Sequence, residues 1–151
     1  MFRQRPAELF FQEAARRDVG IIVRVPLASG LLTGKFDKSS TFGEGDHRQY
    51  NREGAAFDKG ETFSGVPYDV GLEAVSQLKS LVSADENLAA LALRWILDHD
   101  EVSTIIPGVS KLPQLHSNIS ASEKAPLSSE LQTQIEEIYA AKIKPLVHHL
   151  W

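Results

Sequence analysis

Residues 24–36 read RVPLASGLLTGKF and follow directly on the apolar run Val19-Gly20-Ile21-Ile22-Val23. The run predicts a β-strand over Val19–Val25. It is nearly apolar throughout, so it reads as a strand covered on both faces, as in parallel sheets. The chain leaves this strand through Pro26, Ser29, Gly30, Gly34 and Lys35, a loop with little side-chain bulk and a cation at its end. Gly30 and Gly34 let backbone N–H groups approach an anion, and Lys35 adds a point charge. A phosphate group suits that chemistry, although the glycine-helix fingerprint of dinucleotide-binding βαβ units is missing.

The same ending recurs downstream. Residues 102–110, VSTIIPGVS, predict a second strand over Val102–Ile106 that stops at Pro107-Gly108. Ligands gather at the carboxyl ends of parallel strands, so two strands that end alike point to one site built from both. The intervening helices supply the long crossover that a parallel pair requires.

Around the strands the sequence is helical. RPAELFFQEAARRD, residues 5–18, predicts a helix with Pro6 in its first turn, Glu8 near its start and Arg16-Arg17 near its end. Leu9, Phe10 and Ala14 would form its apolar stripe. After Pro67, the spacing of Leu72, Val75, Leu78 and Val82 predicts another helix. Ser83-Ala84-Asp85-Glu86 has the form of a capping box. It predicts a buried helix reaching about Asp98, with Leu88, Leu91 and Trp95 on one side and Leu93, Ile96 and Leu97 on the other. Ser110 is expected to cap a short helix with Pro113 in its first turn, running to about Ala121. Ser128 or Ser129 caps a last helix in which Leu131, Ile135 and Ile138 line up. Residues 37–66 differ: Gly, Asp, Ser and charge dominate, and no periodicity survives. They predict a long mobile loop at the ligand end, pinned locally by Phe42, Phe57 and Phe63.

Composition narrows the class. A chain of 151 residues with 42% apolar and 24% charged residues is of a size and kind that forms one soluble globular domain. A net charge of −4 argues against nucleic-acid binding, which calls for a basic patch. No apolar run approaches the ~20 residues of a membrane helix, and MFRQRPAELF lacks the apolar core of a signal peptide. With no cysteine there is neither a disulfide framework nor a thiolate metal site. The expectation is a cytoplasmic protein with no nucleic-acid or membrane partner.

RVPLASGLLTGKF resembles the loop after the seventh strand of aldo-keto reductases. LALRWILDHDEVSTIIPGVSKLPQLHSN resembles their seventh helix, eighth strand and eighth helix, and the similarity reaches back to FRQRPAE and through the 37–66 loop. The resemblance implies an α/β fold, the C-terminal portion of a (β/α)8 TIM barrel. Residues 1–151 would form a single partial domain with two parallel strands and flanking helices, the barrel incomplete in this chain. It implies NADP(H) as cofactor and NADPH-dependent reduction of aldehydes or ketones. By the same resemblance Val25, Pro26, Leu27, Ala28 and Ser29 line the pyrophosphate, with Lys35 nearby. In the second motif the contacts fall on Gly108, Ser110, Gln114 and Asn118. Ser110 can hydrogen-bond a 2′-phosphate that Lys111 neutralises. Gln114 and Asn118, four apart, share a helix face from which amides can pair with adenine edges. Arg48 matches a position that folds over the cofactor in some members. The chain departs from the family at Ser117, where many members are acidic, and in offering Ser110, Lys111 and His116 where some have Arg.

The family's catalytic Asp, Tyr, Lys and His come from the first four strands, whereas this chain begins at about the helix after the sixth. No catalytic residue is therefore assigned, and the chain alone is predicted to be inactive. Tyr50, Tyr68 and Tyr139 sit in a loop, a helix start and a terminal helix. The five histidines, His47, His99, His116, His148 and His149, read as solvated or capping residues. Two other readings stand beside the enzyme: a non-catalytic cofactor-binding or regulatory module, as in potassium-channel beta subunits, and a truncated gene remnant. Two strands leave unpaired edges, so self-association is expected.

Overall fold

A computed structural model describes residues 1–83 and 86–150. Strands β1 (Ile21–Arg24) and β2 (Val102–Ile106) form a parallel pair, with Ile22 beside Thr104, Val23 beside Ile105 and Arg24 beside Ile106. The register slips between Ile21 and Ile22, where the Ile21 N–H donates instead to Ser103 Oγ at 3.1 Å. Pro26 and Pro107 therefore leave the sheet at the same end, as the crossover predicts.

The helices are α1 (Phe10–Arg16), α2 (His47–Tyr50), α3 (Tyr68–Ser80), α4 (Leu88–Leu97), α5 (Leu112–Glu123), α6 (Ser129–Ile138) and α7 (Lys144–Val147). A π-helical turn, Tyr139–Ile143, joins α6 to α7. α4 is the spine of the core. Its Ala/Leu sequence buries nearly every side chain, as expected, but the helix starts later than the capping box suggests. Ala84 and Asp85 lie outside the described residues. The cap is Asn87, whose side chain accepts from the Ala89 N–H at 2.9 Å. α3 adds Ala74, Val75 and Leu78 to the same core and ends before Val82.

The expectation that β1 is covered on both faces fails. Val23 and Ile105 pack against the core, while Ile22 and Ile106 on the opposite face are 64% and 57% exposed. Helices cover one side of a two-stranded sheet, and the period-two alternation of side chains leaves the other side open. The first predicted helix also breaks. A 3₁₀ turn, Arg5–Ala7, holds Pro6, and α1 starts only after Leu9, whose φ of −132° interrupts the helix. Of the predicted stripe only Ala14 is buried. Leu9 and Phe10 stand 67% and 57% exposed, and Met1 and Phe2 enter the core in their place.

The second half is tied down by a largely buried ion pair. Arg94 Nε donates to Asp98 Oδ1 at 2.8 Å, their side chains being only 12% and 4% exposed. Asp98 Oδ2 also accepts the Leu127 N–H, and Arg94 donates to the carbonyls of Ser122 and Lys124. The pair thus fastens the end of α5 and the start of the α6 connection to α4. α5 packs on α4 through Ala121 against Ala90 and Leu93. Ser128 caps α6 by accepting from the Leu131 N–H at 3.2 Å, and Ile135 is its buried residue.

Residues 37–66, expected as a long loop pinned by Phe42, Phe57 and Phe63, carry local structure that the sequence pattern did not predict. They hold α2 and two 3₁₀ turns, Lys59–Glu61 and Phe63–Gly65. Asp46 and Asp58 cap α2 and the first of these turns, accepting from the N–H groups of Arg48 and Gly60. Asn51, fully buried, is the hub: its Oδ1 accepts from Ala56 and Phe57 N–H at 2.9 Å, and its Nδ2 donates to Thr62 Oγ1 at 3.3 Å. Phe63 is buried and Phe42 packs on the core, whereas Phe57 stays exposed. Local caps and one amide hub replace the missing apolar periodicity.

Candidate functional site

Directly after β1 the backbone enters the left-handed region at Val25 (φ 49°), Ala28 (φ 49°), Ser29 (φ 56°), Gly30 (φ 96°) and Gly34 (φ 69°). For non-glycine residues this costs on the order of 1–3 kcal/mol each and persists only where the surroundings hold it. The holding contacts come from below and across. Leu31 and Leu32 are buried in the core. Ser29 Oγ accepts from the Phe63 N–H at 3.2 Å and donates to the Glu61 carbonyl at 3.3 Å. Arg24, the last residue of β1, donates from Nη1 to Glu61 Oε2 at 2.8 Å. That hydrogen bond holds the Glu61 carboxyl below the usual carboxylate range. The Lys59–Gly65 turns are therefore latched onto the strand end.

A groove of about 770 Å³ runs between this loop and the turn after β2. From the first loop it is lined by Val25, Pro26, Leu27, Ser29 and Lys35, and from the second by Gly108, Ser110 and Gln114. Arg48 lines it from the 37–66 segment, stacked over the Phe42 ring at 4.7 Å and the Phe36 ring at 5.5 Å. Asp46 grips that guanidinium at 2.5 and 2.9 Å, and the Arg48 hydrogen bonds bring its own carboxyl down to about 2. Gly30 is where the segment closes on the loop: a Cβ there would stand 3.0 Å from the Phe36 ring and 3.6 Å from Arg48 Nη1. Arg52 repeats the motif over Tyr68 at 4.7 Å, so two guanidiniums cover one aromatic cluster.

Three of the expected residues lie elsewhere. Ala28 is buried beneath the loop and faces a separate cavity of about 110 Å³ shared with Phe2, Trp95 and His99. Lys111 and Asn118 do not line the groove. Ser110 is not the cap of α5, since the helix starts after Lys111. Instead, Gln114 Oε1 accepts from the N–H groups of Ser110 and Lys111 at 2.9 and 3.1 Å and from the Ser110 hydroxyl at 3.1 Å. In this conformation the amide oxygen is spent on its own helix start.

The histidines depart from the solvated reading in three places. His47 lines the groove, its Nε2 lying 3.4 Å from Ser29 Oγ. His99 is half-buried against Trp95 at 4.7 Å and Phe11 at 5.6 Å, and burial pushes its imidazole below the ordinary value. His148 sits between Glu8 Oε1 at 2.9 Å and the Tyr139 hydroxyl at 2.8 Å. His116 and His149 are exposed as expected. None of the tyrosines lines the groove: Tyr50 rests on Phe57, Tyr68 donates to the Asp37 carbonyl, and Tyr139 is paired with His148. Gly30, expected from the sequence as a point of close backbone approach, does line the groove, and the groove residues that sequence reasoning passed over are Thr33, Phe36, His47, Phe57, Glu61, Ile106 and Val109. For His47 a signal existed, because Asp46 is an N-cap residue that places the following side chain on the first turn of α2. No group of three His, Asp or Glu suited to a metal ion occurs among the described residues, nor does any helix there have the length and apolarity to cross a membrane.

Comparison with known proteins places this geometry. The model of a family described as the aldo/keto reductase family matches residues 1–140. L-glyceraldehyde 3-phosphate reductase of Escherichia coli strain K12 is 29% identical over 120 residues, which are 79% of this chain and 33% of that protein. A probable voltage-gated potassium channel subunit beta of Arabidopsis thaliana is 30% identical over 149 residues, 95% of this chain and 43% of that one. The fold superposes on a glycerol dehydrogenase of Gluconobacter oxydans with a TM-score of 0.71 at 23% identity, covering 91% of this chain and 39% of that one. A holo-form aldo-keto reductase of Bacillus halodurans gives a TM-score of 0.57 at 27% identity with the same coverage. The chain thus spans less than half the length of each of these proteins.

Proposed function

The chain belongs to the aldo/keto reductase family, and on that premise we propose that it is the NADP(H)-holding end of a carbonyl-reducing barrel, residues 1–151 acting as one partial domain. One observation carries the proposal. The two strand-end turns and the 37–66 segment meet on a single groove that gathers Lys35, Arg48, Ser29 and Ser110. Lys35 and Arg48 fit a dinucleotide phosphate, because two cations converge there and the carboxylates at its rim are committed to Arg24 and Arg48; the Ser29 and Ser110 hydroxyls, which donate to Glu61 and Gln114 in this conformation, would turn to join them. Val25, Pro26 and Leu27 present an apolar wall for the pyrophosphate to lie along, Lys35 neutralises it, and Arg48 covers it from the opposite side. Ser110 would meet the 2′-phosphate, while Lys111 and Asn118, which lie outside the groove, would reach the 2′-phosphate and the adenine only from beside it.

Bound there, the cofactor supplies the hydride for reduction of an aldehyde or ketone. The chain's own part is to bind and orient it. Protonation of the reduced oxygen needs a positioned acid. Each of the three tyrosines is engaged away from the groove or exposed, so the chain alone holds cofactor without turning over a carbonyl. Fluorescence titration with NADPH, run beside an NADPH-oxidation assay on a panel of aldehydes, tests both halves. Saturable binding without turnover is the expected result. Absence of binding at millimolar NADPH overturns the site, and turnover by the purified chain overturns the assignment of the proton donor elsewhere.

The identity of 30% to a probable channel beta subunit across 95% of the chain favours a second reading, a cofactor-binding module that reports NADP(H) to a partner. Capture of a detergent-solubilised channel by the NADPH-loaded chain separates it from the first.

A further inference from the structure

Among the described residues, the ionisable side chains that line the groove are Lys35, His47, Arg48 and Glu61. Two of these are offset by a partner. Glu61 is held by Arg24, and Arg48 by Asp46, whose carboxyl its hydrogen bonds bring down to about 2. Arg48 still offers N–H donors to a phosphate, but its charge is matched. Lys35 is the remaining permanent cation, and the turn after β2 adds no ionisable side chain to the lining. A dinucleotide pyrophosphate carries a negative charge on each of its two phosphates, so Lys35 alone leaves one unanswered. His47 is the lining residue whose type changes charge between about pH 5 and 8. Its ring spans from Asp46 to the loop after β1. Nδ1 lies 3.6 Å from Asp46 Oδ1, and Nε2 lies 3.4 Å from Ser29 Oγ. Both distances are long for hydrogen bonds, so neither contact fixes the ring. On its outer side His47 shares an open hollow with Asp46, Arg48 and Tyr50.

We propose that His47 is a proton-dependent contact to the cofactor's pyrophosphate, so that the groove tightens on the dinucleotide as pH falls through the histidine range. This rests on the NADP(H) site proposed above. Protonation gives both ring nitrogens an N–H. One then faces the Asp46 carboxylate, and the other stands at the Ser29 turn, beside the wall assigned to the pyrophosphate. The ring supplies the second positive charge, in a charge-assisted hydrogen bond. At higher pH the ring is neutral and Lys35 is the one unmatched cation left on the lining. Because the bound pyrophosphate favours the charged ring, proton and cofactor reinforce each other's binding.

The test is isothermal titration with NAD+, which lacks the 2′-phosphate and so removes a group that itself titrates at about pH 6. Circular dichroism at each pH checks that every chain stays folded. From about pH 8 to about pH 6 the affinity of the parent chain should rise roughly tenfold. Titrations in buffers of different ionisation enthalpy should show proton uptake on binding. His47→Gln should lose both the pH dependence and the uptake. His47→Lys carries a permanent cation, and at the higher pH it should bind about as tightly as the parent does at the lower. His149→Gln, at an exposed histidine of the C-terminal turn, should keep the parent profile. A flat profile in the parent, a pH dependence that survives in His47→Gln, or no gain by His47→Lys at the higher pH overturns this proposal and leaves the cofactor site standing. No binding of NAD+ or NADP+ by the folded chain at either pH overturns both.

Discussion

The hydroxyl of Ser29 accepts a 3.2 Å hydrogen bond from the backbone N–H of Phe63, thirty-four residues away along the chain. This contact fixes the left-handed loop after β1 to the segment that crosses it. Ser29→Ala leaves that N–H without its acceptor, a loss of about 1–3 kcal/mol for a buried group. The amide of Phe63 should then exchange faster by roughly one to two decades. Unchanged exchange at Phe63 would mean that the buried phenyl ring alone holds the segment.

Lys35 lines the groove from the loop after β1 and Ser110 from the turn after β2, so they should report on different parts of the cofactor. A charge-assisted hydrogen bond is worth about 1.5–3 kcal/mol, or roughly one to two decades in affinity. Lys35→Ala should weaken NADPH and NADH alike. Ser110→Ala should weaken NADPH more, because only NADPH carries the 2′-phosphate. Isothermal titration with both nucleotides decides it, and equal losses in the Ser110 variant would remove that residue from the 2′-phosphate.

Asp98→Ala removes the partner of a nearly buried guanidinium and the acceptor of the Leu127 N–H. Breaking a buried pair from one side costs about 3–5 kcal/mol. A large fall in the urea midpoint is expected, with the loss felt first where α5 joins α6. A shift no larger than that of an exposed pair such as Lys59–Glu53 would show that Arg94 finds other partners.

Burial lowers the His99 pKa in the folded chain, so the unfolded chain takes up a proton at higher pH than the folded one. Stability from this residue is complete above the unfolded value, near 6.5, and is lost as pH falls below it toward the depressed folded value. His99→Phe keeps an aromatic ring against Trp95 and has no proton to gain. Between pH 7 and 5 its denaturation midpoint should fall less than that of the parent chain. Parallel pH profiles would assign the acid sensitivity to other groups.

The parallel pair and the buried α4 were legible because they are written in long apolar patterns: Val19–Val25, Val102–Ile106 and the Ala/Leu run of 88–97 each have one reading. The break at Leu9 and the exposure of Ile22 were not. Apolar residues signal burial against something, and a sequence pattern does not reveal whether that something is in the same folded body. The local structure within residues 37–66 was hidden for the opposite reason. Their order comes from Asp46, Asp58 and Asn51, whose hydrogen bonds leave no periodic trace, although the two aspartates are recognisable caps once a helix start is sought. In the groove, the turn after β1 itself pointed to Gly30 and Lys35, and the family resemblance added Val25, Pro26, Leu27, Ser29, Gly108, Ser110 and Gln114. His47 and Phe57 reach it from the 37–66 segment through tertiary contacts.

The run of left-handed residues after β1 has a consequence for variation. At Val25, Ala28 and Ser29 the backbone adopts a shape that glycine takes with ease, yet side chains occupy all three positions. A population of variants sorted for thermal survival should therefore enrich glycine at Ala28, where relief of strain competes only with a small loss of packing. At Ser29 the same change should be depleted, because the hydroxyl also anchors Phe63. The loop was not shaped for maximal endurance. Its residues record a trade between backbone comfort and the walls and anchors that only a side chain provides.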